Sequence, residues 1–298
     1  MKNEKEIGVV HPPRLIEEAE SWVRSLWNKA SSRWAGRSGQ DRNYRSRVTH
    51  PFLVDAIRAR APQGNLNILD LGCGDGILLE DNRFLEVIGT GGNYLGVDIS
   101  EPLLEKVRFQ LPRGTISFLT MNLTDPNLPH AVQAVRPDWD VILSIFVVQE
   151  IPAVETFFRN LGDLLTPDSW ALLITVHPDF GEWLLREGHL LPNDDFTMNS
   201  PARNVPWRWA GSYPIVDEPF EPFYLPHFQR TIDDYRRIIE SSGLCVEEVI
   251  ELPAERDIPG LVSEGLSPFR PFPTNVYWPC IAEKPSSLVL SVRKKGNV

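Results

Sequence analysis

Cysteine is scarce: Cys73, Cys245 and Cys280 are the three in 298 residues, and their spacing matches neither a disulfide framework nor a metal-ligand set. The chain is therefore expected to work in a reducing cytoplasm. Positive charge is also short. Lys and Arg number 30 against 40 Asp and Glu, for a formal net charge of −10, so a nucleic-acid backbone or an anionic membrane is repelled on average. No apolar run approaches the ~18 to 20 residues needed to cross a bilayer. The polar start Met1-Lys2-Asn3-Glu4-Lys5-Glu6 is not followed by the apolar stretch of a secretory signal. Spaced His, Asp and Glu clusters are missing as well, so no metal is expected. The expectation is a soluble protein with no nucleic-acid partner, no membrane span and no metal. Nothing in the sequence fixes its oligomeric state.

Against these absences stands the run Ile68-Leu69-Asp70-Leu71-Gly72-Cys73-Gly74-Asp75-Gly76. An apolar strand ends in an acid, and glycines then fall at alternate positions, where side chains would block a ligand lying against the backbone. Asp70 falls at the carboxyl rim of a strand, where open α/β sheets bind ligands. A dinucleotide-binding loop reads Gly-x-Gly-x-x-Gly and aims a helix N-terminus at pyrophosphate. This loop has the shorter Gly-x-Gly-x-Gly spacing, and its preceding acid repels phosphate. About 22 residues past Gly76, Tyr94-Leu95-Gly96-Val97-Asp98 supplies a second strand ending in an acid, placed to accept both hydroxyls of a ribose. Ribose without pyrophosphate indicates a nucleoside ligand.

These residues resemble the class I S-adenosylmethionine-dependent methyltransferases, whose first motif is an Asp/Glu-x-Gly-x-Gly-x-Gly loop and whose second is an acid ending the next strand. The resemblance continues along the chain. Phe118-Leu119-Thr120-Met121-Asn122-Leu123 is similar to the third strand and adenine loop, with Asn122 where the family often has Asp. Residues 140–151 resemble the fourth strand and its active-site end, and 164–176 the following helix end, turn and fifth strand. Asp168-Ser169 replaces the usual Gly-Gly of that turn. Residues 228–244 resemble the late helix of small-molecule members related to the ubiquinone and menaquinone biosynthesis enzymes, with Gln229 where a His is often found. The resemblance implies a Rossmann-like, doubly wound, seven-stranded and mostly parallel α/β sheet. It implies S-adenosyl-L-methionine as cofactor, S-adenosyl-L-homocysteine as product and a small-molecule acceptor. It assigns Asp70, Gly72, Gly74 and Gly76 to the methionine end, Asp98 to ribose, Ile99 to packing on adenine, and Asn122 with the Leu123 amide to the adenine edge. Tyr44, on the arm preceding the core, joins the cofactor-binding set.

Alternating strand-like and helical runs independently read as a doubly wound sheet. Residues 1–50 are expected to be an N-terminal arm. Leu15, Ala19, Trp22, Val23, Leu26, Trp27 and Ala30 recur in it at helical spacing, giving an amphipathic helix to about Trp34. Arg33, Arg37, Arg42, Arg45 and Arg47 cluster there as a solvated face or as a clamp on the cofactor carboxylate. Residues 51–177 form the cofactor-binding core. Residues 178–230 carry eight prolines and many aromatics, among them Trp183, Trp207 and Trp209, and read as a substrate lid. Residues 231–298 return to pattern, with Thr231 and Asp234 capping a helix that Gly243 closes, and carry a second insertion at 253–280.

An in-line methyl transfer needs alignment and exclusion of water. A neutral hydroxyl acceptor also benefits from a general base. His177, directly after the fifth strand, is the first candidate, and Glu150, just past the fourth, is the second. The resulting expectation is a methyltransferase acting on a small, largely apolar and aromatic molecule, at oxygen in preference to nitrogen or carbon. Its rivals are the same fold used for non-methylating sulfonium chemistry or for cofactor binding alone, a nicotinamide-dependent oxidoreductase, and a macromolecular methyltransferase. The glycine spacing and Asp70 oppose the second of these, and the acidic composition opposes the third.

Overall fold

The computed structural model describes residues 16–38, 45–61, 64–107, 115–179, 227–253, 285 and 287–296. At its centre lie five parallel strands: β1 (Asn67–Leu71), β2 (Asn93–Asp98), β3 (Thr115–Thr120), β4 (Val141–Ile145) and β5 (Trp170–Val176). Their near-continuous apolar runs follow from burial on both faces, which parallel strands acquire when crossover helices cover each side. β6 (Leu244–Glu251) and β7 (Ser287–Lys294) complete a seven-stranded sheet of order β3-β2-β1-β4-β5-β7-β6. β7 runs antiparallel to both its neighbours. The expected mostly parallel seven-stranded sheet is therefore present.

Alternating side chains feed two apolar layers. Leu69, Leu71, Leu95, Val97 and Ile142 pack on one face with Phe157, Phe158 and Leu161 of α6 (Val154–Leu164), alongside α5 (Leu128–Val135). Ile68, Tyr94, Val141 and Leu143 pack on the other with Leu53 and Ile57 of α2 (His50–Arg60) and Phe84 of α3 (Asn82–Ile88). A short α4 (Glu101–Leu104) follows β2. α7 (Ile232–Ser241) begins at a capping box, in which the Thr231 hydroxyl accepts from the Asp234 N–H while the Asp234 carboxylate accepts from the Thr231 N–H. Gly243, at φ 77°, follows its end.

The chain leaves β1 for β2 and β3 on one side, then crosses back to pair β4 with β1 on the other. This reversal opens a crevice beyond the carboxyl ends of β1 and β4, where open α/β sheets bind ligands. Helix α1 (Ile16–Ser38) buries Ala19, Val23, Leu26 and Ala30 and lies against α4 at that crevice. It runs a turn farther than the periodicity indicated. A π-helical turn, Arg45–Thr49, leads into α2. Residues 180–226 of the expected lid and most of the second insertion lie outside the described residues, as do Tyr44 and the side chain of Trp34. No helix among the described residues is long and apolar enough to cross a membrane.

Candidate active site

The turn after β1 is held against β2, the Gly72 and Cys73 N–H groups both donating to the Val97 carbonyl at 2.7 and 3.1 Å. Two of its glycines are sterically required. Gly72 sits at φ 88°, and a Cβ there would lie 2.3 Å from Val147 Cγ2. Gly76 sits at φ 70°, with Val107 Cγ1 2.8 Å from the same added atom. The loop is thus wedged between β2 and the exit of β4. Asp98 ties it down further, accepting from Gly74 N–H at 2.8 Å on Oδ2 and from Ser100 N–H at 2.8 Å on Oδ1. Its side chain lines the crevice. Burial pushes its pKa up to about 6, against the opposing pull of those backbone donors. Asp70, at the end of β1, accepts from the Tyr94 hydroxyl at 2.7 Å. Burial pushes it up to about 7, with the Tyr94 bond opposing and the Asp98 charge reinforcing the rise.

Past β2 and β3 the crevice is walled by Val23, Ile99, Leu103 and Leu123. Asn122 presents its amide here, with Oδ1 accepting from Thr124 N–H at 3.2 Å and Nδ2 donating to Glu20 Oε2 of α1 at 3.0 Å. The Thr124 hydroxyl donates to the other oxygen of Glu20. Asn160 of α6 fixes this loop from behind, donating to the Leu123 and Asp125 carbonyls at 2.9 Å each.

At the exit of β4 the backbone of Phe146 adopts φ 56°, a left-handed conformation that bulky residues rarely hold without support. Its N–H donates to the Ile174 carbonyl at 2.6 Å. The following 3-10 turn, Val148–Glu150, is gripped from two sides. The buried Arg230 guanidinium donates to the Val148 and Ile151 carbonyls at 3.1 and 2.7 Å, and Phe228 N–H donates to the Gln149 carbonyl at 2.6 Å. Thr175 of β5 donates to the Gln149 side chain at 2.9 Å. The turn presents Glu150, whose Oε2 accepts from the Trp27 indole N–H at 2.7 Å. Burial pushes Glu150 up to about 8, although the Trp27 bond and the nearby Arg45 charge both favour its ionised form. The Arg45 guanidinium lies 5.1 Å from the centre of the Phe146 ring and is acted on by the charges of Asp75 and Glu150.

Among the described residues, a solvent-open cavity joins these parts. It brings together Asp70, Gly72, Gly74, Asp98, Ile99, Asn122, Leu123 and Glu150. Gly76 supports the loop from outside the lining. His177 is buried but is not brought to this cavity. Its Nδ1 accepts from Asp179 N–H at 3.2 Å, and Nε2 lies 3.4 Å from Glu251 Oε1, at the meeting of β5, β6 and β7. Sequence reasoning missed Glu20, His50 and Arg230. Glu20 carried a usable signal, since it falls on the same helical stripe as Val23 and Trp27. Among the described residues, no three His, Cys, Asp or Glu side chains group as metal ligands.

The donor set and the loop shape fit a nucleoside ligand that carries both positive charge and a carboxylate. Asp98 and Asp70 could accept from hydroxyls or pair with a cation, and Arg45 could pair with a carboxylate.

Comparison with known proteins agrees with this geometry. A family model described as a methyltransferase domain matches residues 69–171. An uncharacterized methyltransferase of Mycobacterium tuberculosis is 28% identical over 178 residues, covering 59% of this chain and 79% of that protein. A ubiquinone biosynthesis O-methyltransferase of Thiobacillus denitrificans is 24% identical over 138 residues, covering 46% of this chain and 55% of its own length. Two solved structures share the fold. Magnesium protoporphyrin IX methyltransferase of Synechocystis, with bound S-adenosylhomocysteine, gives a TM-score of 0.55 at 16% identity over 93% of this chain and 99% of that one. The 1,6-didemethyltoxoflavin N1-methyltransferase of Burkholderia thailandensis, with its substrate and S-adenosylhomocysteine, gives 0.54 at 14% identity over 97% and 94%.

Proposed function

The chain carries a class I S-adenosylmethionine-dependent methyltransferase domain, and from that premise we propose that it methylates an oxygen of a small, largely apolar, aromatic acceptor in a reducing cytoplasm. The observation that carries the acceptor side of this reading is that a half-buried carboxyl, Glu150, lines the same cavity as the glycine loop and Asp98.

When bound, S-adenosyl-L-methionine supplies an already electrophilic methyl group. The protein's part is to hold, align and dehydrate. Asp98, oriented by the Gly74 and Ser100 N–H groups, accepts from the ribose hydroxyls. Asp70 balances cationic charge at the end of β1, and Arg45 holds the methionine carboxylate. Glu150 takes the proton of the acceptor hydroxyl. A base is most effective when its pKa lies near the working pH, and burial brings Glu150 to about 8. What favours Glu150 over His177 is position, because the His177 ring is engaged by Asp179 and turned toward Glu251. Phe146 and Trp27 supply aromatic walls that suit a planar acceptor and a sulfonium. The formal charge of −10 favours a small molecule over a nucleic acid.

The test is isothermal titration of the protein with S-adenosylmethionine and S-adenosylhomocysteine, followed by methyl-labelled cofactor with phenols, catechols and their amine counterparts. Micromolar binding of both nucleosides, with label appearing on phenolic oxygen, is expected. Label confined to the amines would overturn the oxygen assignment, and no binding would overturn the cofactor reading.

A further inference from the structure

We infer that Glu20, on the arm helix α1, is the acceptor that reads the exocyclic amino group of the cofactor's purine. This inference rests on the cofactor reading above and adds a specificity-determining residue to it.

Hydrogen-bond capacity at this end of the cavity singles out Glu20. Four apolar side chains, Val23, Ile99, Leu103 and Leu123, wall the cavity beyond Asp98, and Glu20 and Asn122 are the polar side chains beside them. The Thr124 N–H can only donate, so the Asn122 atom 3.2 Å from it is the amide oxygen. That fixes the amide NH2 toward Glu20, 3.0 Å away. Asn122 therefore has one oxygen, already engaged by backbone, and a donor spent on the carboxylate. An ionised carboxylate offers about four acceptor sites. Those of Glu20 receive one bond from Asn122 and one from the Thr124 hydroxyl. Both bonds hold the carboxylate still and leave it the group with unspent acceptor capacity. A 6-aminopurine presents an N–H donor at C6, whereas a 6-oxopurine presents there an acceptor that a carboxylate repels and carries its donor on N1 instead.

Position on the helix adds a consequence. Glu20, Val23 and Trp27 fall at i, i+3 and i+7, one stripe of α1, and all three line the cavity. The same stripe therefore touches the purine end through Glu20 and the acceptor end through the Trp27 bond to Glu150.

The test is calorimetric titration of wild type, Glu20→Gln and Glu20→Ala with S-adenosylhomocysteine and with its 6-oxo analogue, S-inosylhomocysteine. Glutamine keeps the size and helix propensity of Glu20, and thermal melts verify folding. Wild type is expected to prefer the amino compound by about ten- to a hundredfold, as for a charge-assisted hydrogen bond. Glu20→Gln is expected to lose most of that preference, because its amide can donate to the oxo group, and Glu20→Ala to weaken the amino compound. Variants that bind S-adenosylhomocysteine as tightly as wild type, or more tightly, would overturn the inference alone. Wild type that binds neither compound would overturn the cofactor reading and the inference with it.

Discussion

Glu150 illustrates how environment sets the chemistry of a side chain. Burial disfavours its charge, while the Trp27 N–H at 2.7 Å and the Arg45 charge restore part of it, leaving the group at about 8. Glu150→Gln is expected to leave S-adenosylhomocysteine affinity within about threefold and to cut turnover by roughly 10² to 10⁴. Trp27→Phe keeps the ring and removes the donor to the carboxylate. The carboxyl pKa must then rise, so the acid limb of the kcat profile is expected to move to higher pH, as a stopped assay from pH 6 to 10 would reveal. An unmoved limb would remove Glu150 as the titrating base. Glu150 was legible because it follows an apolar run that could only be a strand. Its partner was not, since bonding between residues 123 positions apart depends on how the arm docks. The place of His177 directly after β5 makes it a base candidate in the sequence, but in the sheet β5 borders β7, which borders β6, and the ring lies 3.4 Å from Glu251 at the end of β6.

At the scale of elements, the strands and the caps of α7 were written locally, in apolar runs and in the Thr231, Asp234 and Gly243 pattern. Three features were not. The π-turn at Arg45–Thr49, the bulge between Val246 and Glu248 in β6 and the support of the β4 exit by Arg230 all depend on distant partners. The contact of the β1 loop with that exit can be measured through Gly72. Gly72→Ala faces two penalties: overpacking against Val147, of about 1 to 3 kcal/mol, and a left-handed backbone, of about 1 to 2 kcal/mol. Val147→Ala removes the two methyl carbons that an added Cβ would strike at 2.3 and 2.8 Å. The Val147 Cβ, 3.1 Å from the added atom, remains, so the double variant is expected to recover most of the first penalty and to keep the second. Urea midpoints for the four corners of this cycle would show a positive coupling. Strict additivity would mean that loop and exit do not touch as described.

Across the whole molecule, folding collects acids in one crevice. Burial raises Asp98 to about 6, Asp70 to about 7 and Glu150 to about 8, all above their values in an unfolded chain near 4. Between those limits the folded state binds more protons than the unfolded, so each group's contribution to stability falls as pH rises. His50 and His227 act oppositely. Burial lowers both to about 4, so the unfolded state binds more protons between there and about 6.5, and their effect favours folding as pH rises. Above pH 6.5 the histidine effect is spent while Asp70 and Glu150 are still titrating. The urea midpoint of the ligand-free protein is therefore expected to fall from pH 6.5 to 8.5. In the proposed binding mode, S-adenosylmethionine would bring a sulfonium and an ammonium beside these carboxyls and favour their ionised forms. The increase in midpoint at saturating cofactor should then grow over the same interval, because a ligand that binds the deprotonated site better stabilises it more as pH rises. A ligand-free midpoint that stays level or climbs across that interval would show that the crevice acids are already ionised below pH 6.5, and that burial does not hold them protonated.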